Sequence, residues 1–238
     1  MKPLDFDHYA LAPNRLTELN TQLASLSAGE RIDWALAHLP GEHVLSSSFG
    51  AQAAVSLHMA AVRRTDIPVV LIDTGYLFRE TWDFVHELSA RLHLNLHTYR
   101  AALSPSDMEA QYGELWTQGK DAIRLYNRMR KVEPMQRALL DLNAGTWITG
   151  IRRSQSESRA DIDFVTLRDG CFKLHPLADW RDRDIWNYLQ AHDLPYHPLW
   201  HQGYVSIGDT HSTSRWQEGM REEDTRFSGL VRECGLHA

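Results

Sequence analysis

Short apolar runs alternate with longer amphipathic segments along most of this chain. Residues 68–72 (Pro-Val-Val-Leu-Ile) are wholly apolar, as is typical of a central parallel strand, and weaker strand patterns cover 44–47, 95–99 and 146–149. Apolar residues at helical spacing fill 50–63, 78–92, 131–142 and 179–192. Strands separated by helices in this way predict right-handed crossovers and a doubly wound, mostly parallel α/β sheet.

Further patterns lie before, within and after this alternating region. Leucines at 16, 19, 23 and 26 and apolar residues at 32, 36 and 39 predict two helices, with Ser27 and Glu30 as a capping box between them. Ser106 and Glu109 form a second capping-box pattern and predict a helix over 106–116. Segments 164–167 and 171–174 predict a β-hairpin. We therefore divide the chain into a helical N-terminal extension (1–40), an α/β domain (41–200) and a C-terminal tail (201–238).

Composition narrows the class of protein. The 238 residues carry a formal net charge of −6, which argues against a broad nucleic-acid surface but allows a small anionic ligand held by local cations. No apolar run approaches the ~20 residues of a membrane span, and residues 1–7 lack a signal-peptide pattern. The two cysteines form no disulfide framework and fit a reducing cytoplasm. Two thiolates are also too few for a cysteine-held iron–sulfur cluster within one chain.

The end of the first predicted strand is the strongest candidate for an anion site. Ser46, Ser47 and Ser48 are followed by Phe49 and Gly50, and then by small residues that favour a helix. Hydroxyls beside the open N–H groups of a helix start attract phosphate, and Gly50 lets the backbone approach the ligand. The alternative is an ordinary strand-to-helix turn with a serine N-cap.

Two further strand ends carry polar groups that suit a nucleotide. Asp73, Thr74 and Gly75 follow the apolar strand and provide hydrogen bonds for a nucleotide or sugar; the alternative is a turn in which Asp73 caps the next helix. After the fourth strand, 150–159 carries Arg152, Arg153 and Arg159 among serines, a composition that suits oxyanion binding but also a solvated loop. Lys131 adds a compact positive charge.

The tail contains the second cysteine. Cys234 lies four residues from the end, where Arg226, Arg232 or His237 would favour its thiolate form. The alternative is an inert terminal cysteine, while Cys171 in the hairpin is predicted to be a buried core residue. His197, His201, His211 and His237 resemble half of a zinc-finger spacing, but the matching cysteine pair is absent, so we predict no metal site.

Six segments in this order carry a family resemblance: 45–50 (LSSSFG), 73–78 (DTGYLF), 131–135 (KVEPM), 150–153 (GIRR), 208–211 (GDTH) and 233–237 (ECGLH). With them, nearly the whole chain resembles the thioredoxin-dependent phosphoadenylyl sulfate (PAPS) reductases of assimilatory sulfate reduction. The resemblance implies an adenine-nucleotide α-hydrolase-like fold of the PP-loop type. It makes 41–200 the nucleotide-binding domain and 201–238 a mobile catalytic tail, with Ser46–Gly50 at the phosphate-loop position.

Two departures from related families refine this expectation. The glycine-rich loop and aspartate of ATP-cleaving PP-loop proteins are missing, which counts against ATP cleavage. The two cysteine pairs that bind a [4Fe–4S] cluster in adenylyl sulfate reductases are also missing, because Asn127 and Arg128 precede the Lys131 motif and 208–211 contains no cysteine. The resemblance therefore implies an enzyme without a cluster or other bound cofactor, acting on the 3′-phosphorylated substrate.

The resemblance also implies roles for individual residues. The Cys234 thiolate attacks the sulfur of PAPS, and thioredoxin (or glutaredoxin) then releases sulfite from the S-sulfocysteine. Cations must screen the repulsion between thiolate and sulfuryl group; the candidates are Lys131, Arg153, Arg215 and Arg226, with Arg152 and Arg159 as weaker ones. His237 and His211 are candidates for proton transfer. The family implies a homodimer, and the sequence does not decide whether the tail acts within or across subunits.

Three other functions stay open from the sequence. A PP-loop ligase or sulfur-transfer enzyme would release pyrophosphate from ATP. A nucleotide-binding regulator with Cys234 as a redox sensor would bind PAPS without forming sulfite. A cluster-containing reductase would be brown, and the cysteine count argues against it.

Overall fold

A computed structural model of the chain describes residues 4–10, 12–168, 170–231 and 236. In these residues the helices are α1 (Phe6–Ala10), α2 (Pro13–Ala24), α3 (Ala28–His38), α4 (Ala54–Ala61), α5 (Arg79–Leu92), α6 (Pro105–Tyr112), α7 (Lys120–Asn127), α8 (Glu133–Asp141) and α9 (Asp182–Ala191). The strands are β1 (Glu42–Ser46), β2 (Pro68–Asp73), β3 (Asn95–Arg100), β4 (Ala144–Thr149), β5 (Val165–Arg168) and β6 (Cys171–Leu174). None of the described helices has both the length and the apolarity needed to span a bilayer.

The strands form one sheet in the order β3-β2-β1-β4-β6-β5. Neighbouring strands are parallel except for β5, which pairs antiparallel with β6 as the predicted hairpin. The doubly wound, mostly parallel α/β sheet expected from the sequence is therefore confirmed. Strand order reverses at β1, because β2 and β3 lie on one side of it and β4 lies on the other.

Successive side chains of each strand enter two different cores. Leu45, Val69 and Ile148 join the larger core with the N-terminal helices and α4, α5 and α9. Val44 and Trp147, on the opposite face, pack with Met135 and Ala138 of the α8 side. Because helices cover both faces, the central strands are buried throughout, which accounts for the uninterrupted apolar run of β2.

The two predicted N-terminal helices are present, and they belong to the larger core. Ser27 and Glu30 form the expected capping box at the start of α3. Arg31 of α3 is only 1% exposed and reaches the segment that follows β6. Its guanidinium makes a two-pronged ion pair with Asp179 at 2.7 and 2.8 Å and lies 3.7 Å from the centre of the Phe164 ring. It also donates to the backbone carbonyls of Leu23 and Pro176.

Two predicted helix starts are wrong. The predicted helix at 106–116 is α6, and it begins earlier because Ser104, not Ser106, caps it by accepting from the Asp107 amide. Pro105 then occupies the first turn, where its missing N–H costs nothing. The helix predicted from Gly50 begins only at Ala54 and has no side-chain cap, so the serine N-cap alternative is also wrong.

Removing the Arg31 guanidinium fork tests how the N-terminal helices are joined to the sheet. Arg31→Lys keeps the charge but leaves buried carbonyls without donors, so we expect the free energy of unfolding to fall by about 2–4 kcal/mol. Urea denaturation measures this. Arg124→Lys, at an ion pair in which both side chains are exposed, is the matched control and should cost less than about 0.5 kcal/mol. Equal losses in the two variants would contradict the assignment.

Candidate active site

A cavity of about 260 Å³ opens at the carboxyl edge of the sheet. It lies between the loop after β1 and the loop after β4, which is where the strand order reverses. In open α/β sheets the two loops diverge at this point and leave a crevice for a ligand. The third side is formed by residues from the tail, among them Ile207, Gly208, Asp209, Arg226 and Leu236.

The loop after β1 presents unbonded backbone amides to this cavity. The N–H groups of Ser48, Gly50, Ala51 and Gln52 donate to no acceptor among the described residues. The late start of α4 leaves them in this state. Several N–H groups with no partner in one loop form a binding site for an oxyanion such as phosphate.

Side chains in the same loop hold its shape. Ser47 Oγ accepts from the Phe49 amide at 3.1 Å, and the Phe49 ring is fully buried with a left-handed backbone (φ 49°). Ser46 Oγ accepts from the indole N–H of Trp147 at 2.7 Å. Only Ser48 is exposed, so its hydroxyl is available to a ligand while the other two serines support the loop.

Two arginines from the loop after β4 form the opposite wall. Arg152 is 2% exposed, pairs with Asp182 at 2.9 Å and donates to the Gln52 side chain at 2.6 Å. Arg159 is also buried and donates to Gln155 at 2.7 Å. The Arg152–Gln52 bond ties the two loops together across the cavity. Guanidinium groups fixed in this way provide positive charge without having to reorganise when an anion binds.

Lys131, which lies just before α8, adds a further positive charge to the cavity wall. A π-helical turn (Arg128–Val132) joins α7 to α8, and its irregular spacing turns Lys131 toward the cavity. The ammonium group lies 2.6 Å from a carboxylate oxygen of Asp209, which is 1% exposed. Burial by itself would raise the pKa of the Asp209 carboxyl, but the charge and hydrogen bond of Lys131 lower it well below its usual range. The two groups therefore form a buried ion pair at neutral pH.

Asp209 is held by more than Lys131. Thr74 donates to one carboxylate oxygen at 2.5 Å, and the Tyr126 hydroxyl donates to the other at 3.0 Å. Burial and the Asp209 charge raise the pKa of Tyr126, so this hydroxyl stays protonated. Burial lowers the pKa of His211 to about 4, and the neutral ring donates to Tyr126 while stacking on Trp116. Asp209 and Thr74 line the cavity with Lys131, whereas Tyr126 and His211 do not.

Arg226 approaches the cavity from the tail. An added Cβ on Gly208 would lie 2.1 Å from an Arg226 nitrogen, so only glycine lets the guanidinium pack there. A backbone bridge between Thr213 and Arg226 fixes the segment, and a second bridge between Leu77 and Asp209 joins the tail to the loop after β2. The tail thereby contributes a wall of the site as well as charge.

Most of the residues singled out from the sequence meet in this cavity. Those that line it are Ser46, Ser47, Ser48, Gly50, Thr74, Lys131, Arg152, Arg159 and Arg226. The candidates Cys234 and His237 lie outside the described residues. Leu236, between them in the sequence, is described and lines the cavity.

Six other candidates do not line the cavity: Phe49, Asp73, Gly75, Arg153, His211 and Arg215. Asp73 is buried, pairs with Arg100 at 2.5 Å and accepts from the Gly75 amide, so it does not cap α5. Arg153 donates to the Ile162 carbonyl at 2.9 Å and lies over the Phe164 ring. Arg215 lies over the ring of Tyr204, 5.4 Å from its centre.

Sequence reasoning missed several groups that build the site. Asp209 lies in the 208–211 motif, and an acidic residue in an anion-binding motif is a signal for a lysine partner. The sequence assigns Gln52 only to a predicted helix, and no motif or spacing distinguishes Tyr126. Each depends on contacts with residues more than 80 positions away in the sequence.

His197, His201 and His211 show no metal-binding arrangement in the described part of the chain. His197 is fully buried, donating to Thr81 through one ring nitrogen and accepting from the Leu199 amide with the other, and burial lowers its pKa to about 4. No three His, Cys, Asp or Glu side chains among the described residues are grouped to hold a metal ion. Cys171 is buried, as predicted, and its thiol donates to the Ala144 carbonyl.

The mostly parallel sheet, with helices on both faces, belongs to an α/β fold of the PP-loop type. An FMN adenylyltransferase structure from Candida glabrata shares this fold, with a TM-score of 0.57, 17% identity, and coverage of 86% of this chain and 74% of that one. At this identity the likeness concerns the fold alone.

More specific comparisons identify the family. Residues 42–215 match the model of the phosphoadenosine phosphosulfate reductase domain. Phosphoadenosine 5′-phosphosulfate reductases of Xanthomonas oryzae pv. oryzae and Salmonella typhi are 61% and 59% identical over 93% of this chain and 92% and 91% of their own lengths. A PAPS reductase structure from Candida auris, a phosphate complex, matches with a TM-score of 0.72 and 31% identity, over 84% of this chain and 96% of that one. The chain belongs to the phosphoadenosine phosphosulfate reductase family.

A double-mutant cycle tests the buried ion pair. Lys131→Met or Asp209→Asn alone leaves one buried charge without its partner, so each should lower the free energy of unfolding by about 3–5 kcal/mol. The double variant should cost less than the sum by about 1–3 kcal/mol, measured by urea denaturation. The exposed pair Glu133–Arg137 supplies the control cycle, with coupling below about 0.5 kcal/mol. Additive losses for Lys131 and Asp209 would show that the pair is not coupled.

Proposed function

We propose that this protein reduces PAPS to sulfite and adenosine 3′,5′-bisphosphate, with Cys234 as the nucleophile and thioredoxin as the reductant. The observation that carries the proposal is the composition of the cavity wall. One side offers the open amides of the loop after β1 and the arginines of the loop after β4, both suited to phosphate. The other side is formed by tail residues, among them Arg226 and Leu236. Leu236 follows Cys234 by two residues in the sequence.

The reaction has two stages. The Cys234 thiolate attacks the sulfuryl sulfur, an S–S bond forms, and the S–O bond to the 5′-phosphate breaks with its electron pair leaving on the bisphosphate. One thiolate of reduced thioredoxin then attacks the Cys234 sulfur, and sulfite leaves with the electrons of the S–S bond. The second thioredoxin thiol resolves the mixed disulfide, which restores Cys234 and oxidises thioredoxin. Two electrons thus pass from the dithiol to sulfur.

Electrostatics explain why this cavity favours the first stage. The thiolate and the substrate are both anionic, so bringing them together requires fixed positive charge. We assign this task to Lys131 and Arg226, which approach from the α8 side and the tail, and substrate binding to Arg152 and Arg159. Asp209 offsets part of the Lys131 charge, but it also fixes the ammonium position before the substrate arrives.

The remaining features of the proposal follow from the family resemblance and the sequence. A chain with two cysteines has too few thiolates for a cysteine-held cluster, so we propose that no cluster takes part. We place the reaction in the cytoplasm, where thioredoxin or glutaredoxin is kept reduced, and we propose a homodimer. His237 remains our candidate for proton transfer.

Intact-protein mass tests the covalent step. Reduced enzyme mixed with PAPS in the absence of thioredoxin should gain the mass of one SO₃ group, because the thiosulfonate persists until a second thiol attacks it. The Cys234→Ser variant should gain nothing, and Cys171→Ser, which removes the buried thiol, should gain the group as the wild type does. Release of bisphosphate by wild type without any mass gain would refute the two-step mechanism. Pyrophosphate release from ATP would instead favour the PP-loop ligase.

Neighbouring arginines provide a test of the binding wall. Arg152→Gln should weaken binding of adenosine 3′,5′-bisphosphate by about 10-fold or more, because a buried guanidinium at the cavity is lost. Arg153→Gln, one residue away but packed on Phe164, should change the dissociation constant less than about twofold. Isothermal titration calorimetry measures both, with thermal melting to confirm folding. A larger effect at Arg153 than at Arg152 would reverse our assignment.

A further inference from the structure

Lys173 occupies an unusual place in the sheet. It is 2% exposed and lies in β6, where it is paired in register with Trp147 of the neighbouring parallel strand. Phe172 and Leu174 on either side of it enter the larger apolar core, so Lys173 points to the opposite face together with Trp147. An apolar residue would fill this position without the cost of taking an ammonium group out of water. The lysine therefore calls for a reason other than packing.

The contacts of the ammonium group supply that reason. Lys173 Nζ donates a hydrogen bond to the backbone carbonyl of Leu236. It also lies 4.0 Å from the centre of the Trp147 ring, where a desolvated cation is attracted to the π-system. Leu236 packs against the apolar core that contains Trp147. Among the described residues, Leu236 is thus attached to the sheet by a buried, charge-assisted hydrogen bond together with an apolar contact.

Trp147 also contacts the start of the loop after β1. Its indole N–H donates to Ser46 Oγ at 2.7 Å, at the start of the loop whose amides line the cavity. Lys173 itself does not line the cavity. Leu236, Lys173, Trp147 and Ser46 therefore form a continuous series of contacts from the tail to the loop after β1.

We propose that Lys173 is a positioning residue that fixes the tail at Leu236, so that Cys234 is presented to the bound substrate. The inference rests on the proposed function, in which Cys234 is the nucleophile. Holding a nucleophile in one orientation accelerates the attack without changing how tightly the nucleotide binds. Lys173 therefore acts on the rate of the first covalent step and leaves the affinity for the nucleotide unchanged.

The test compares three variants at saturating PAPS without reductant. The rate of S-sulfonation is followed by rapid quenching and intact mass, and binding of adenosine 3′,5′-bisphosphate by calorimetry. Lys173→Met should slow S-sulfonation by about 10- to 100-fold, the effect of losing one charge-assisted hydrogen bond, with the dissociation constant within about twofold of wild type. Lys173→Arg should recover most of the rate, because it keeps the charge and the donor. Lys120→Met, at an exposed lysine, should match wild type.

Each other result has a definite meaning. A wild-type rate in Lys173→Met would overturn the positioning role, as would a bisphosphate affinity that falls in proportion to the rate. Equal slowing in Lys173→Met and Lys173→Arg, with lowered melting temperatures, would show a purely structural lysine. Lys173→Gln keeps a neutral hydrogen-bond donor on a shorter side chain, and it is measured as a fourth variant in case Lys173→Met does not fold. If wild type itself is never sulfonated at Cys234, the proposed function fails instead, and the two failures are distinguished.

Discussion

Strand β1 lies between β2 and β4, and the chain leaves it in one direction and returns on the other side. The loops that follow β1 and β4 must therefore diverge, and the space between them cannot be filled by either crossover helix. The late start of α4 leaves several amides at this opening without an acceptor among the residues that the structure describes. Sheet topology thus creates the cavity, and local backbone geometry makes it attractive to phosphate.

The charges around the cavity are held by partners. Lys131 is paired with Asp209, and Asp209 in turn is fixed by Thr74 and Tyr126. Arg152 is fixed by Gln52 and Asp182 in a similar way. Such pairs reduce the net field that a ligand feels, but they remove the cost of arranging flexible cations when the ligand binds. The paired cations therefore contribute more by orienting a bound anion than by attracting it.

The tail belongs to the site as much as the sheet does. Arg226, Gly208 and Asp209 come from it, and its attachment runs through two backbone bridges and the Lys173 contact with Leu236. In the function that we propose, the tail carries the nucleophile and has two tasks, since it must reach the substrate and later expose the modified sulfur to the reductant.

Apolar periodicity and short motifs are local properties, so the sequence predicts the strands, most of the helices, the hairpin, the three strand-end loops and the family resemblance. It does not predict α1 and α7. It did not distinguish Arg152 from Arg153. The backbone at Arg152 is extended, so adjacent side chains point in opposite directions, and only the packing of Phe164 decides which one meets the cavity. The sequence likewise singles out Asp73 rather than Asp209 as a site residue. In the structure Asp73 pairs with Arg100, whereas Asp209 pairs with Lys131 at the cavity. Tertiary structure decided these points because each depends on contacts between residues distant in the chain.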